Sequence, residues 1–221
     1  VIIDLAGVRA TAAKLRIPQV GVWIADVDFD GAQPLPTGRL TLTIGAAAFV
    51  GTVDPKFSGT FAGRRRVRFV AGANGWGSVV GQRFFHNDAG VRDKTVIDAT
   101  AAECGEVVSF NTTPTAAGRV AYTRQRGVAS AVLTKLATAG WYVDYAGVTQ
   151  IGPRVVAKLG KFDLLAFDPG QNIATIATTD IQAVGIGATL TENLDRPLVV
   201  RDLTIDVSGD GARTFAWGTT T

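Results

Sequence analysis

Six charged residues stand in two short runs, and the spacing puts each run on one face of a strand. Asp26, Asp28 and Asp30 alternate with Ala25, Val27 and Phe29, while Arg64, Arg66 and Arg68 alternate with Arg65, Val67 and Phe69. Residues two apart share a face of a strand. The acidic run followed by Gly31 matches the first half of a calcium-binding EF-hand loop, where oxygens at positions 1, 3 and 5 wrap the ion. Position 12 of that loop should be a bidentate Glu and is Thr37, position 9 is Pro34, and the segment before it reads as strand rather than helix. The pattern is therefore an acidic strand face running into a proline loop. The arginine run could neutralise phosphates. Its aromatic neighbour Phe69 alternates to the opposite face, so no stacking platform accompanies it. The expected role is an arginine row pairing with carboxylates on a neighbouring strand or subunit, and the Asp26, Asp28 and Asp30 row is one candidate partner.

The other chemistry-bearing residues point away from catalysis. His86 is the single histidine, and Asn87-Asp88-Ala89-Gly90 after it reads as a turn, so His86 is expected to cap or hydrogen-bond in a loop. A Ser-His-Asp triad would have to use it, with Asp88 too close in sequence to be an obvious orienter. Cys104 falls near the C-terminal end of an expected helix, a position that does not lower a thiol pKa, and is read as a buried structural cysteine. The glutamates are Glu103, Glu106 and Glu192, and no specific carboxylate pair suggests a glycosidase. The loop Gly72-Ala73-Asn74-Gly75-Trp76-Gly77 has no lysine, so it is read as a long turn with a packing tryptophan rather than a phosphate loop. No catalytic group, cofactor or metal site is expected. A carbohydrate-binding module is the alternative, with Trp76, Trp141 and Tyr142 as stacking candidates. Trp141 and Tyr142 point to opposite faces of one strand.

Composition sets the frame. The 221 residues are 47% hydrophobic and 19% charged, with a formal net charge of +3. That excludes a disordered chain and permits a large core. One cysteine excludes an intramolecular disulfide, which fits synthesis in a reducing cytosol. The longest charge-free runs, Leu40 to Val53 and Phe69 to Gln82, are fourteen residues each, too short for a membrane helix. The N-terminal Val-Ile-Ile-Asp-Leu-Ala-Gly lacks the features of a signal peptide. With no methionine present, an initiator removed or a trimmed start is expected. Sixteen arginines against six lysines favour fixed ion pairs and protein interfaces.

The elements that must position these residues are mostly strands. With 26 glycines and frequent Thr and Val, short alternating segments are punctuated by Gly, Pro, Asn and Asp. Strands are predicted over Val20 to Phe29, Arg39 to Ile44, Ala48 to Val53 and Arg65 to Val70. The loop Gly31 to Gly38, with Pro34 and Pro36, separates the first two. The period then changes. Asp93 is the expected N-cap of a helix from Lys94 to Cys104, with Gly105 beyond its end. Val128 to Ala139 is predicted as a second helix, ended by Gly140. Trp141 to Asp144 and Val148 to Ile151 form a small hairpin. Asp163 to Phe167, Ile173 to Thr178 and a terminal hairpin follow. In that hairpin Leu203, Ile205 and Val207 alternate with Asp202, Thr204 and Asp206 before a Gly209-Asp210-Gly211 turn and Ala212 to Trp217. The fold class is mainly β with a small α+β insertion: a β-barrel part over 1–83, an insert of two helices and a hairpin over 84–153, and a β-rich part over 154–221 that completes the first barrel or forms a second.

The run Gly63-Arg64-Arg65-Arg66-Val67-Arg68-Phe69-Val70-Ala71-Gly72, then Gly75-Trp76-Gly77 and Phe85-His86-Asn87-Asp88-Ala89-Gly90-Val91-Arg92, resembles tailed-bacteriophage proteins of the baseplate hub type. So does Ala131-Val132-Leu133-Thr134-Lys135-Leu136-Ala137 leading to Trp141-Tyr142-Val143-Asp144 and Gly147-Val148-Thr149-Gln150-Ile151-Gly152. The resemblance covers residues 60 to 155 best. It implies tail-tube-like β-barrels interrupted by a helix and a helix-hairpin segment, and a structural, non-enzymatic role in the virion tail of a protein made in the host bacterial cytoplasm. It also implies a homo-oligomeric ring, commonly a trimer, that joins the tail tube protein to spike or fibre-attachment proteins. The ring's lumen would pass the tape measure protein and DNA. Under that resemblance Asp26, Asp28, Asp30, Arg64, Arg66 and Arg68 are candidates for lumen or inter-subunit faces.

Overall fold

The structure is a computed structural model that describes residues 1–31, 34, 37–61, 63–112, 119–157 and 159–220. Its first seven strands are β1 (Ile3–Leu5), β2 (Val8–Ala10), β3 (Ala12–Ile17), β4 (Ile24–Asp30), β5 (Arg39–Ile44), β6 (Ala47–Phe61) and β7 (Arg64–Ala71). β1 and β2 are joined by Ala6-Gly7, both at positive φ, as a two-residue hairpin turn with the twist of its strands demands. All neighbours pair antiparallel in the order β4-β7-β6-β5-β1-β2. β2 runs into β3 through Thr11, whose backbone N–H donates to the Asp28 carbonyl at 2.8 Å, and β3 pairs with β4. Taken as one bent strand, β2 and β3 close a cycle of six strands. Its inside holds Leu5, Leu15, Val27, Leu42, Phe49 and Phe69. Trp23 is fully buried among them, edge-on to Phe49 with ring centroids 5.5 Å apart, and its indole N–H reaches the Asp144 carbonyl at 3.0 Å.

β1, β2 and β3 were not predicted, and two of the predicted strands depart from the sequence reading. The predicted strand from Val20 begins only at Ile24, because the backbone at Gly21 turns away to bond Trp141 and Val143. β6 does not stop at Val53. It runs on past Pro55 through a register shift between Asp54 and Gly59. There side chains replace the ladder bonds that a proline denies: the Asp54 carboxylate accepts from Lys56 N–H, and the Ser58 hydroxyl accepts from Arg68 N–H. In the loop before β5, Gly31, Pro34, Thr37 and Gly38 lie outside any strand, and Pro36 lies outside the described residues.

The middle of the chain builds on β8 (Val79–Val80), β9 (Arg83–His86), α1 (Asp93–Cys104), β10 (Val108–Phe110), β11 (Ala121–Arg124), β12 (Gly127–Val128), α2 (Ser130–Leu136), β13 (Trp141–Val143) and β14 (Thr149–Ile151). β8 pairs with β12 and β9 with β11 in one continuous register, so 79–86 and 121–128 form a single antiparallel ribbon interrupted at Gly81-Gln82. Asp93 is not the cap of α1. Arg92 holds that place in an extended conformation, and Asp93 is the first helical residue, paired with Arg119 at 2.9 Å. A carboxylate there still faces the positive end of the helix. Gly105 ends α1 in the left-handed conformation that its lack of a side chain permits. α2 is shorter than predicted at both ends, because Val128 is committed to the ribbon and Ala137 leaves the helical region. The ribbon is fixed to α1 by Arg124, which is fully buried. Its guanidinium donates to the Gly81 carbonyl, the Thr100 hydroxyl at 2.9 Å and the Glu103 carboxylate. That hydrogen bond, with another from Gly81 N–H, holds the Glu103 carboxyl below its ordinary value.

The last strands are β15 (Asp163–Asp168), β16 (Ile173–Ala177), β17 (Thr189–Leu190), β18 (Leu198–Ser208) and β19 (Gly211–Thr220). From Asp202 onward the β18–β19 hairpin follows the alternation of its sequence, after a register shift between Val200 and Asp202. β18 pairs with β3, placing Leu203 opposite Ile17 and Val207 opposite Ala13. The result, among the described residues, is one twelve-stranded sheet in the order β15-β16-β19-β18-β3-β4-β7-β6-β5-β1-β2, with β17 beside β18. The fold is mainly β with a small helical insertion.

Candidate functional site

The pairing of β18 to β3 lines up one charged residue from each of six adjacent strands. Arg213 stands opposite Asp206, Asp206 opposite Lys14, Lys14 opposite Asp26, Asp26 opposite Arg68, and Arg68 opposite Asp54. The sign alternates at every step. Directly opposed residues share a face, so the row runs across the outer surface of the sheet while Leu15, Val27, Val67 and Ile205 fill the inner one. Arg68 grips Asp26 with two parallel bonds of 2.8 and 3.0 Å, and Arg66 grips Asp28 with two of 2.7 Å. Arg64 and Asp30 are looser at 3.9 Å, and Lys14 reaches Asp206 at 3.3 Å. The hydrogen bond to Asp28, with its charge, pushes Arg66 above its ordinary pKa, and the hydrogen bond to Asp26 does the same for Arg68. Lys14, Arg16, Asp26, Asp28, Arg66 and Arg213 line a groove of about 830 Å³ on this face.

The three Asp–Arg pairs form a graded series. Side-chain exposure is 28% and 15% for Arg68 and Asp26 but 80% and 71% for Arg64 and Asp30. A double-mutant cycle on Asp26 and Arg68 is expected to give about 1 kcal/mol of coupling that survives added salt. The same cycle on Asp30 and Arg64 should give about zero. Equal couplings for the two pairs would contradict this geometry.

The calcium reading of Asp26, Asp28 and Asp30 has no loop to support it, since all three lie on one straight strand facing arginines. No cluster of three or more His, Cys, Asp or Glu suited to a metal occurs among the described residues. His86 is not in a loop; it ends β9, stacks on Phe84 and lies 3.6 Å from Asp88, with both partners exposed. The glycine loop after β7 is a cradle already filled by the chain itself. The Glu106 carboxylate accepts from Ala73 N–H at 3.2 Å and Gly75 N–H at 2.7 Å, and Trp76 beside it donates to the Thr149 hydroxyl at 2.7 Å. Trp76, Trp141 and Tyr142 are all buried, so none offers a ring face to a sugar.

Burial, reinforced by the nearby Glu106 charge, pushes the Cys104 thiol up to about 11. At pH 8 the thiolate is then scarce, and alkylation of the folded chain by iodoacetamide should run about tenfold or more slower than in denaturant. Equal rates would place Cys104 at the surface.

Lys14, Asp54, Asp206 and Arg213 complete the row and were not singled out by sequence. Asp206 was visible as part of an alternating strand, but nothing local marks its partner Lys14, 192 residues away. No protein-family model matches the sequence, and no curated protein matches it. Solved structures do. A tail protein of prophage MuSo2 from Shewanella oneidensis superposes with a TM-score of 0.67 at 12% identity, covering 97% of this chain and 96% of that one. A tail protein from Neisseria meningitidis gives 0.65 at 11%, covering 97% and 95%. An Escherichia coli component of the type VI secretion system, described as structurally similar to the T4 tail proteins gp27 and gp5, gives 0.65 at 11%, covering 99% of this chain and 79% of that one. The chain has the fold of these phage-tail and secretion-system proteins along nearly its whole length.

Proposed function

We propose that this chain is a non-enzymatic structural component of a bacteriophage tail, a baseplate hub protein at the distal end of the tail tube. In this reading copies of the chain, three in number, form a ring in the virion that joins the tail tube protein to spike or fibre-attachment proteins. The tape measure protein and DNA pass through it. The barrel part over 1–83 and the β-rich part over 154–221 supply the wall, and the 84–153 insert supplies contacts outside it. The observation that carries the reading is the likeness to tail proteins over both β parts and the insert together. The charged row supports the lumen assignment. A channel that passes DNA must not retain it, and free cations bind phosphate. Here Arg66, Arg68 and Lys14 are each held by a carboxylate from the next strand, and Arg213 is left exposed opposite Asp206, so the face is balanced rather than acidic. The sugar-binding alternative loses its support with the burial of Trp76, Trp141 and Tyr142.

The test is the mass of the purified protein by light scattering, with negative-stain images of the same sample. Closed rings with a central hole are the expected result. A chain that stays monomeric at every concentration, with no ring in any image, would count against a self-assembling hub.

A further inference from the structure

The charged row ends where the insert meets the barrel. Its last member, Asp54, is only 9% exposed, and no cation lies within ion-pair distance of its carboxylate among the described residues. Arg68 stands opposite it on β7 but is held by Asp26. One Asp54 oxygen accepts from Lys56 N–H at 2.9 Å, and the other meets no donor among the described residues. A carboxylate withdrawn from water is costly unless a counter-charge joins it. Asp54 stands on the wall of a pocket of about 380 Å³, whose apolar surface comes from Val22, Ile24, Phe57, Val70, Trp76 and Trp141. Phe57 is 62% exposed on β6, and the Arg68 guanidinium lies 5.1 Å from its ring centre. The other charged groups on the wall are occupied: Glu106 by the Ala73 and Gly75 N–H groups, and Arg68 by Asp26. Two carboxylates therefore stand against one guanidinium, and that one is taken. Lys56, beside Phe57 in the chain, is exposed, and its ammonium has no carboxylate within ion-pair distance among the described residues.

We infer that this pocket takes the end of a basic side chain, a lysine or arginine, from a neighbouring protein. Its apolar stem lies against Ile24, Val70 and Trp141, and its cationic head reaches Asp54 with the Phe57 ring beside it. A pocket of this size, mostly apolar with a few polar groups, suits a ligand no larger than a side chain with its stem. An aromatic ring next to a carboxylate favours a cation over a neutral head. An acidic head is refused, because Asp54 and Glu106 both repel it. The two ends of the row differ in this respect. Arg213 is exposed and water serves it, whereas Asp54 is buried and needs a partner that the described residues do not supply. The site belongs to a single chain and does not depend on ring closure, so either reading can fail without the other.

Fluorine NMR of protein carrying fluorotryptophan reads the pocket through Trp76 and Trp141, with Trp23 inside the barrel as the internal control. The probes are N-acetyl-lysine methylamide, its norleucine counterpart, which keeps the stem and lacks the ammonium, and pentylamine. The lysine probe should shift the Trp76 and Trp141 signals with a Kd on the order of millimolar, as befits so small a ligand. The norleucine probe should bind about tenfold more weakly. Asp54→Asn keeps an acceptor for Lys56 N–H and should weaken the lysine probe about tenfold, and Phe57→Ala should weaken it about threefold. Circular dichroism confirms that the variants fold. If Asp54→Asn does not, Phe57→Ala and the norleucine comparison carry the test. Equal binding of the two capped probes, or a lysine probe indifferent to both substitutions, would overturn the assignment. A pocket that takes pentylamine and excludes the capped lysine would also overturn it, since that marks a free amine rather than a protein side chain. So would the absence of any shift with all three probes.

Discussion

Trp23→Ala is expected to lower stability by about 3–5 kcal/mol, the range for deleting a buried tryptophan. The indole is fully buried, packs on Phe49 and Phe69, and donates to the Asp144 carbonyl, so it joins the six-stranded barrel to the hairpin of the insert. Removing it opens a cavity in the first and leaves the Asp144 carbonyl of the second with only its turn bond from Gly147 N–H at 3.1 Å. A fold of this kind has only about 5–15 kcal/mol in reserve, so the midpoint of urea unfolding should fall by a large fraction. Trp23→Phe separates the two contributions. It keeps much of the ring contact and loses the hydrogen bond, and should cost about 1–2 kcal/mol. A loss under 1 kcal/mol for Trp23→Ala would mean that Trp23 is not at the centre of the barrel.

Gly75→Ala should be the most damaging of the conservative changes in the loop after β7, at about 3 kcal/mol. A Cβ at Gly75 would lie 2.0 Å from the Cys104 carbonyl oxygen, which is backbone at the end of α1 and has little room to retreat. Moving the loop instead breaks the bond from Gly75 N–H to Glu106, so the close approach and the carboxylate cradle fail together. Gly77→Ala, two residues on, meets nothing within 4 Å and should change stability by about half a kcal/mol or less. Thermal melts of the two variants compare them directly. Equal losses would show that the loop tolerates the shift and that the Glu106 contact is incidental.

What could be read from sequence was whatever is local and periodic. The β18–β19 hairpin was legible because its alternation is unbroken from Asp202 to Val207 and its turn is marked by glycines. Arg39 to Ile44 was legible for the same reason. The pairing of the arginine and aspartate runs was legible because two alternating faces of opposite sign need each other. The continuation of β6 past Pro55 was not, since it depends on Asp54 and Ser58 side chains standing in for ladder bonds. The cap of α1 was misread because Asp93 had a better partner in Arg119 than in its own backbone. Lys14, Asp206 and Arg213 reach the sheet's outer row from strands far apart in the chain. Their register is set by the pairing of β3 with β18, and no spacing in the sequence announces it.

That pairing also sets a timetable. On the ribosome β3 emerges early, but its partner Leu203–Val207 on β18 is made about 190 residues later. At about 5–20 residues per second, the open side of β3 waits about 10–40 s for the strand that covers it. During that wait the barrel can close on its own, through β4 and β1, while one long row of unpaired backbone groups remains available to strangers. Yield in a producing cell should therefore depend on how fast Leu203–Val207 follows and on what shelters β3 until it does.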